Sequence, residues 1–126
     1  MQSFVGAWKL IQARAFDETG RELPPPLGPQ PMGIAMFDTE RGMAMAADSR
    51  VNLPPETKRA FAAYCGRYTF DGTTAVTHVD GASSPEMFED QVRHIRFDGP
   101  KRMIVSPVSR LFDRSGGLEM VWERLE

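Results

Sequence analysis

The sequence contains little cysteine, little histidine and no long apolar run, and each shortage narrows the class of protein. Only one of the 126 residues is cysteine, so no disulfide can form within the chain, and only two are histidine. Lys and Arg number 15 against 17 Asp and Glu, which leaves no basic excess for a nucleic-acid backbone. No apolar run approaches the about 20 residues that a membrane helix needs. We therefore expect a cytoplasmic protein with neither a nucleic-acid nor a membrane partner.

What the sequence does contain is typical of one globular domain. Hydrophobic residues make up 41% of the chain and glycine contributes 11 residues, which excludes wholesale disorder. A chain of this length buries about two-thirds of the surface that its unfolded form exposes, so it can form a core without disulfides or metals. The segment Phe4 to Ile11 is apolar but contains Lys9 and lacks the basic region of a signal peptide. We expect a single domain over residues 1–126.

Short apolar runs separated by turn residues recur about every ten residues, a spacing that favours an antiparallel all-β domain. The strongest turn signal is Asp71-Gly72, between two alternating runs. We predict strands over Phe4–Phe16, Gly33–Phe37, Met43–Ala47, Tyr64–Phe70, Thr74–Asp80, Gln91–Phe97, Arg102–Val108 and Gly117–Leu125. The proline-rich segment Leu23–Pro31 is predicted to be an ordered loop, and the Ala-rich segment 55–63 a short helix. About eight strands joined by hairpins close most simply into an up-and-down barrel.

Alternation of apolar residues predicts which side chains face the interior of this barrel. The inward sets are Leu118, Met120, Trp122 and Arg124 in the last strand, Gln91, Arg93, Ile95 and Phe97 in the strand before Asp98, and Tyr64, Gly66, Tyr68 and Phe70 in the strand before Asp71. The strand from Thr74 has two possible registers, because a two-residue turn places Ala75 and Thr77 inside and a three-residue turn places His78 there. We slightly favour the register with His78 inside.

The first and last strands carry a resemblance to a known family. Gly6-Ala7-Trp8 in the first strand and Arg124 in the last resemble the signature of the lipocalins and related calycin barrels. Together with the strand count and the segments Asp90–Arg93 and Val121–Arg124, they resemble the bacterial lipocalin-like domain family over Phe4 to Leu125. The resemblance implies that Arg124 packs across Trp8 at the closed end of the barrel. It also implies a cup for a small, mostly apolar molecule, although some relatives are isomerases or cyclases.

Arg93 is the sharpest candidate for binding, because a charge inside a barrel needs a partner or water. That partner is either an internal carboxylate, such as Asp80 or Glu89, or the anionic end of a ligand near Tyr68. The ligand-binding candidates are Arg93, Tyr68, Tyr64, His78, Trp122 and Met120. Weak candidates for a catalytic proton donor are His78 and Tyr68.

Other kinds of chemistry receive less support from the sequence. Two histidines and one cysteine on three strands do not have the spacing of a zinc site, so we predict neither a metal nor another cofactor. A haem-binding barrel needs one proximal histidine, and His78 leaves that function as an alternative. His78, Asp80 and Ser106 could supply a catalytic triad, but residues on strands lack the strained turn that presents a nucleophilic serine. Four methionines, Met32, Met36, Met43 and Met45, are predicted to fill the core or to line an adaptable pocket wall.

Three functions therefore remain open at this level. The first is a module that binds a small apolar or amphipathic molecule, and the second is an isomerase or cyclase that uses the same cavity. The third is a structural protein whose barrel is filled by its own side chains. Outward Val5, Ile11 and Val121 are too few for a large interface, so we expect a monomer or a weak homodimer.

Overall fold

A computed structural model describes residues 4–48, 60–108 and 116–125 of the protein. These residues form nine antiparallel strands. Alternating side chains bury one face of each strand, which is why the runs predicted from the sequence become strands. The strands are β1 Gly6–Phe16, β2 Glu22–Leu23, β3 Met32–Phe37, β4 Arg41–Ala47, β5 Phe61–Phe70, β6 Thr74–Ala82, β7 Gln91–Asp98, β8 Arg102–Pro107 and β9 Leu118–Arg124.

Eight of these strands close into a barrel and the short β2 is an addition at one end. The order is β2-β1-β3-β4-β5-β6-β7-β8-β9, and β1 also pairs with β9. A bulge between Leu10 and Gln12 allows β1 to pair with β9 on both sides of the irregularity. The prediction of an all-β, up-and-down barrel with about eight strands is therefore confirmed.

The two ends of the barrel differ in how the strands are connected. At one end, called here the turn end, the connections are the short turns 38–40, 71–73 and 99–101. At the other, called the loop end, strands β1, β4, β6 and β8 end and strands β3, β5, β7 and β9 begin. The proline-rich segment follows β2 at the loop end, and its Leu27 is fully buried. A turn of 3-10 helix at Pro85–Met87 buries Met87 at the same end.

The turn end is closed by the residues that carry the family resemblance. Arg124 lies over the Trp8 ring, 4.1 Å from its centroid, and its Nη1 donates a hydrogen bond of 2.8 Å to the carbonyl oxygen of Val5. Gly6 has a φ of 131°, and a Cβ there would lie 2.8 Å from Arg124 Nη1. The glycine is therefore needed both for its backbone conformation and for the space that the guanidinium occupies.

The register of β6 corrects the preference for His78 inside the barrel. Asp71 Oδ1 accepts hydrogen bonds from the backbone N–H groups of Thr73 and Thr74, and Phe70 pairs with Ala75. Four residues, an even number, lie between the paired Phe70 and Ala75, so Ala75 and Thr77 face inward. The side chain of His78 is 55% exposed on the outer surface, and the slight preference for a luminal His78 was wrong.

The predicted helix over 55–63 was wrong at its end. Residues 61–63 belong to β5, where they pair with Met45, Ala46 and Ala47 of β4. Alanine allows either state, and pairing with a complete neighbouring strand overrides its helix propensity. Residues 55–59 lie outside the described residues. Within the described ranges, no helix has the length and the hydropathy to cross a membrane.

Candidate functional site

The interior of the barrel has two unlike walls. Strands β3 to β6 contribute mainly alanine side chains, namely Ala35, Ala44, Ala46, Ala62 and Ala75. Strands β7 to β9 contribute larger ones, namely Ile95, Met103, Val105, Met120 and Trp122. Because alanine fills little of the space in front of it, the lumen remains open beside the first wall.

The free volume of this lumen is about 50 Å³. That volume holds a few water molecules, whereas pockets for drug-sized ligands measure about 300–1,000 Å³. The walls include the thioethers Met103 and Met120, which rotate about three side-chain bonds. A guest larger than a few heavy atoms therefore has to displace them. The structure thus lies between the open cup and the filled barrel that the sequence left as alternatives.

Arg93 is the charged side chain of the lumen and is only 6% exposed. Its Nη2 donates a hydrogen bond of 3.2 Å to Gln91 Oε1, and its Nη1 donates one of 3.1 Å to the carbonyl oxygen of Val92. Its guanidinium carbon lies 5.4 Å from the centre of the Tyr64 ring. All three partners are uncharged.

No carboxylate pairs with Arg93 among the residues that the structure describes. Asp80 is bound to Arg41 on the outer surface, and the side chain of Glu89 is exposed. The internal salt bridge that the sequence offered to either residue is therefore wrong. A buried cation without a counter-charge costs several kcal/mol, by the order of magnitude found for such ions.

Thr77 adds a second polar group to the same interior surface. It is 4% exposed, and its hydroxyl makes no hydrogen bond within the described ranges. Thr77 pairs with Gln91, and Ala75 two residues before it pairs with Arg93. The hydroxyl and the guanidinium are thus diagonal neighbours on two adjacent strands. Sequence reasoning did not name Thr77 as a site residue, because its face depended on the turn at Asp71.

Gln91 connects the guanidinium to the loop end. Its Nε2 donates hydrogen bonds to the carbonyl oxygens of Met87, at 3.3 Å, and Glu89, at 3.2 Å, while its Oε1 accepts from Arg93. These bonds orient the amide, so its oxygen faces Arg93. Gln91 therefore acts as a fixed support for the Arg93 side chain.

Of the six predicted ligand-binding residues, the structure brings four together. Arg93, Tyr64, Trp122 and Met120 line the lumen. Tyr68 faces inward but lies at the turn end, where its ring packs against Phe4 and Phe37 and its hydroxyl donates to the carbonyl oxygen of Asp38.

The aromatic ring beside the Arg93 guanidinium is that of Tyr64, whereas the hydroxyl of Tyr68, which the sequence placed near Arg93, is bound to Asp38. His78 also lies away from the lumen, with Nδ1 3.1 Å from Asp90 Oδ1. Burial raises the pKa of Tyr68 above its ordinary value of 10.0, and the negative charge of Asp38 adds to the shift. Such a phenol donates a proton less readily near neutral pH.

Three of the four methionines were assigned to the wrong side of the barrel. Met32, Met36 and Met43 are 54%, 51% and 37% exposed on its outer surface. The alternation of β3 and β4 places alanine and glycine inside, and the sequence gives no apolar contrast between the two faces of these strands. Across the described part of the chain, no three His, Cys, Asp or Glu side chains are grouped as metal ligands would be.

Comparison with known protein families agrees with this architecture. A family model described as a lipocalin-like domain matches residues 5–125. The chain is also similar to the solved structure of a redesigned β-barrel, with 12% sequence identity, 97% of this chain and 91% of that chain covered, and a TM-score of 0.48. No curated protein matches the sequence.

Proposed function

The chain belongs to the lipocalin-like domain family, and from that premise we propose that its lumen binds a small apolar or amphipathic molecule. The apolar part of the guest lies between the alanine wall and Trp122, in the space that the small side chains leave free. The polar end of the guest lies at Arg93 and Thr77. A fold of this kind commonly binds small hydrophobic ligands in its barrel.

One observation carries the proposal: the guanidinium of Arg93 is buried and its partners within the described ranges are all uncharged. Arginine has five N–H donors, and the two side-chain hydrogen bonds described here leave others for a guest. An anionic oxygen would supply the missing counter-charge and a charge-assisted hydrogen bond. The best guest is therefore an amphipathic molecule with an anionic end, such as a carboxylate.

The small free volume limits the size of this guest. With about 50 Å³ free, a short apolar chain fits with little movement, and a longer one has to move Met103 or Met120. We expect affinity to rise with the first added methylene groups, by about 0.8 kcal/mol for each one buried, and then to level off.

The test is calorimetric titration with a series of linear carboxylates of increasing chain length and with their uncharged methyl esters. Arg93→Met keeps most of the side-chain volume and removes the charge, and it should weaken binding of the acids by about tenfold to a hundredfold. Binding of the esters should change little. Arg96→Met is the matched control, because Arg96 lies on the same strand with its side chain exposed outside. Equal affinities of wild type and Arg93→Met for the acids would contradict the proposal.

The isomerase or cyclase alternative gains no comparable observation. Its two candidate proton donors, His78 and Tyr68, lie outside the lumen and at the turn end. We therefore do not propose a reaction.

A further inference from the structure

Thr77 is a buried polar side chain whose hydroxyl does not help to hold the barrel together. It is 4% exposed and lines the lumen. A threonine hydroxyl has one donor and two acceptor sites, and those of Thr77 make no hydrogen bond within residues 4–48, 60–108 and 116–125. A buried hydroxyl without a partner costs free energy that a valine of the same shape does not cost. The packing of the fold therefore does not account for this hydroxyl.

The guanidinium of Arg93 is the neighbour of this hydroxyl in the lumen. Thr77 pairs with Gln91, and Ala75 pairs with Arg93, on the adjacent strands β6 and β7. The Arg93 side chain extends back along β7 toward Gln91, because its Nη2 donates a hydrogen bond to Gln91 Oε1. The cation is thus held toward the row of the barrel that contains Thr77.

The rest of the lumen is mostly apolar. Among the described residues that line it, those with an oxygen or a nitrogen atom in the side chain are Tyr64, Thr77, Arg93 and Trp122. The ring of Tyr64 lies against the Arg93 guanidinium, and the remaining lining consists of alanine, valine, isoleucine, methionine and phenylalanine. A guest that satisfies both Arg93 and Thr77 therefore carries two oxygen-containing groups near one end and is apolar elsewhere.

The spacing of the two protein groups limits where the guest carries its oxygens. Thr77 and Arg93 are diagonal neighbours on adjacent strands, a relation that places their Cβ atoms within about 8 Å of each other. Both side chains point into the same lumen, so guest oxygens that bond to them lie closer together than these Cβ atoms. A carboxylate and a hydroxyl on the second or third carbon of an acid have such a spacing. A hydroxyl at the far end of the chain reaches Thr77 only if the chain folds back, and a free volume of about 50 Å³ leaves little room for that.

We propose that the guest of the lumen is a short hydroxy acid, with its carboxylate at Arg93 and its hydroxyl, on the second or third carbon, at Thr77. This inference rests on the proposed function and narrows the class of ligand from anionic amphipathic molecules to hydroxylated ones. A hydroxyl both donates and accepts, so it matches the unused donor and acceptor sites of Thr77. Water can bond to Thr77 as well, and a guest hydroxyl replaces the hydrogen bonds of that water, whereas a methylene group removes them.

The experiment is calorimetric titration of the whole chain with four six-carbon acids. One acid is unsubstituted, and the others carry a hydroxyl on the second, the third or the last carbon, as single enantiomers where the carbon is chiral. An acid with its hydroxyl on the second or third carbon should bind about threefold to tenfold more tightly than the unsubstituted acid, the factor expected for one neutral hydrogen bond. The hydroxyl on the last carbon should bring no gain.

Thr77→Val removes the hydroxyl and keeps the volume of the side chain, so it should abolish this gain without weakening the binding of the unsubstituted acid. Thr69→Val is the matched control, because Thr69 lies on β5 with its side chain exposed. It should keep the gain. Without ligand, Thr77→Val should have a urea midpoint no lower than that of wild type, because the substitution removes no hydrogen bond within the described residues.

The outcomes separate this inference from the proposed function. Binding of the unsubstituted acid that depends on Arg93, with no gain from a hydroxyl on the second or third carbon, would overturn the hydroxy-acid inference alone. So would a gain that persists in Thr77→Val, an equal gain from the hydroxyl on the last carbon, or a clearly lower urea midpoint of Thr77→Val. Failure of all four acids to bind would overturn both the inference and the proposed function.

Discussion

The turn end and the interior toward the loop end are parts of one barrel with opposite packing. At the turn end, the ring of Phe4 lies 4.0 Å from that of Phe37, 4.9 Å from Phe70 and 5.6 Å from Tyr68, measured between centroids. Trp8 beneath Arg124 is fully buried. Toward the loop end, the interior is lined by small alanine side chains and the buried guanidinium of Arg93, and about 50 Å³ of it is free. We infer that packing at one end stabilises the barrel enough to tolerate a polar, underfilled lumen.

Trp8→Ala should produce the largest loss of stability, because it removes the most buried ring of the turn end. We expect a decrease of about 3–5 kcal/mol in the free energy of unfolding, measured by urea denaturation. Arg124→Ala should cost less, about 0.5–2 kcal/mol for the contact with the ring. A Trp8→Ala variant as stable as wild type would show that the turn end does not hold the barrel together.

Adding side-chain volume should destabilise the turn end and should be tolerated in the lumen. A Cβ on Gly42 would meet the ring of Phe37, so Gly42→Ala should destabilise the protein by about 1–3 kcal/mol. Ala62→Leu fills the lumen beside free space and should change stability by less than about 1 kcal/mol. It should nevertheless weaken ligand binding in the titration at least tenfold. Equal losses of stability in the two variants would remove the contrast between the ends.

Arg93→Met tests whether the luminal charge serves stability or binding. Breaking a buried ion pair costs about 3–5 kcal/mol, whereas replacing a buried charge that lacks a carboxylate partner by an apolar side chain should be close to neutral. We expect the unliganded variant to be at least as stable as wild type, because removal of the unpaired charge outweighs the lost hydrogen bond to Gln91. A large loss in urea denaturation would identify Arg93 as a structural residue.

The smallest expected effect is on the loss of stability at low pH, through Asp38 at the turn end. Backbone N–H groups of Arg41 and Glu40 donate to Asp38 and hold the pKa of its carboxyl below the ordinary 3.8. Because the pKa of Asp38 is lower in the folded than in the unfolded protein, its hydrogen bonds stabilise the fold fully at pH values above the pKa of the unfolded state. This stabilisation is lost as the pH falls through the pKa of the folded state. Asp38→Asn should therefore show a weaker loss of stability below about pH 4 than wild type. Parallel curves of the urea midpoint against pH for both proteins would contradict it.

The fold could be predicted wherever local chemistry decided it. Alternation located the inner faces of β5, β7 and β9, because each has one parity with large apolar residues and one without. The register of β6 depended on whether the turn after Phe70 had an even or odd number of residues, which the hydrogen bonds of Asp71 decide. The two-residue strand β2 has no periodicity to detect.

The site was predictable only in part. The inward orientation of Arg93 followed from its parity with Ile95 and Phe97, and its burial confirms that orientation. The alanine wall was missed because alanine is compatible with a core, a helix and a surface alike. The sequence placed Tyr68 near Arg93, whereas the guanidinium lies against the ring of Tyr64, because strand parity does not give the direction in which a long side chain extends inside the barrel.

The pairing of β1 with β9 has a consequence for how the chain folds. The other main contacts join strands that are neighbours in the sequence, whereas this pair joins Trp8 to Arg124 across nearly the whole chain. Closing so long a loop costs entropy that short hairpins do not, so we expect the hairpins to form first and the β1–β9 seam to close after the transition state. Substitutions in the seam would then mainly accelerate unfolding and leave the folding rate nearly unchanged.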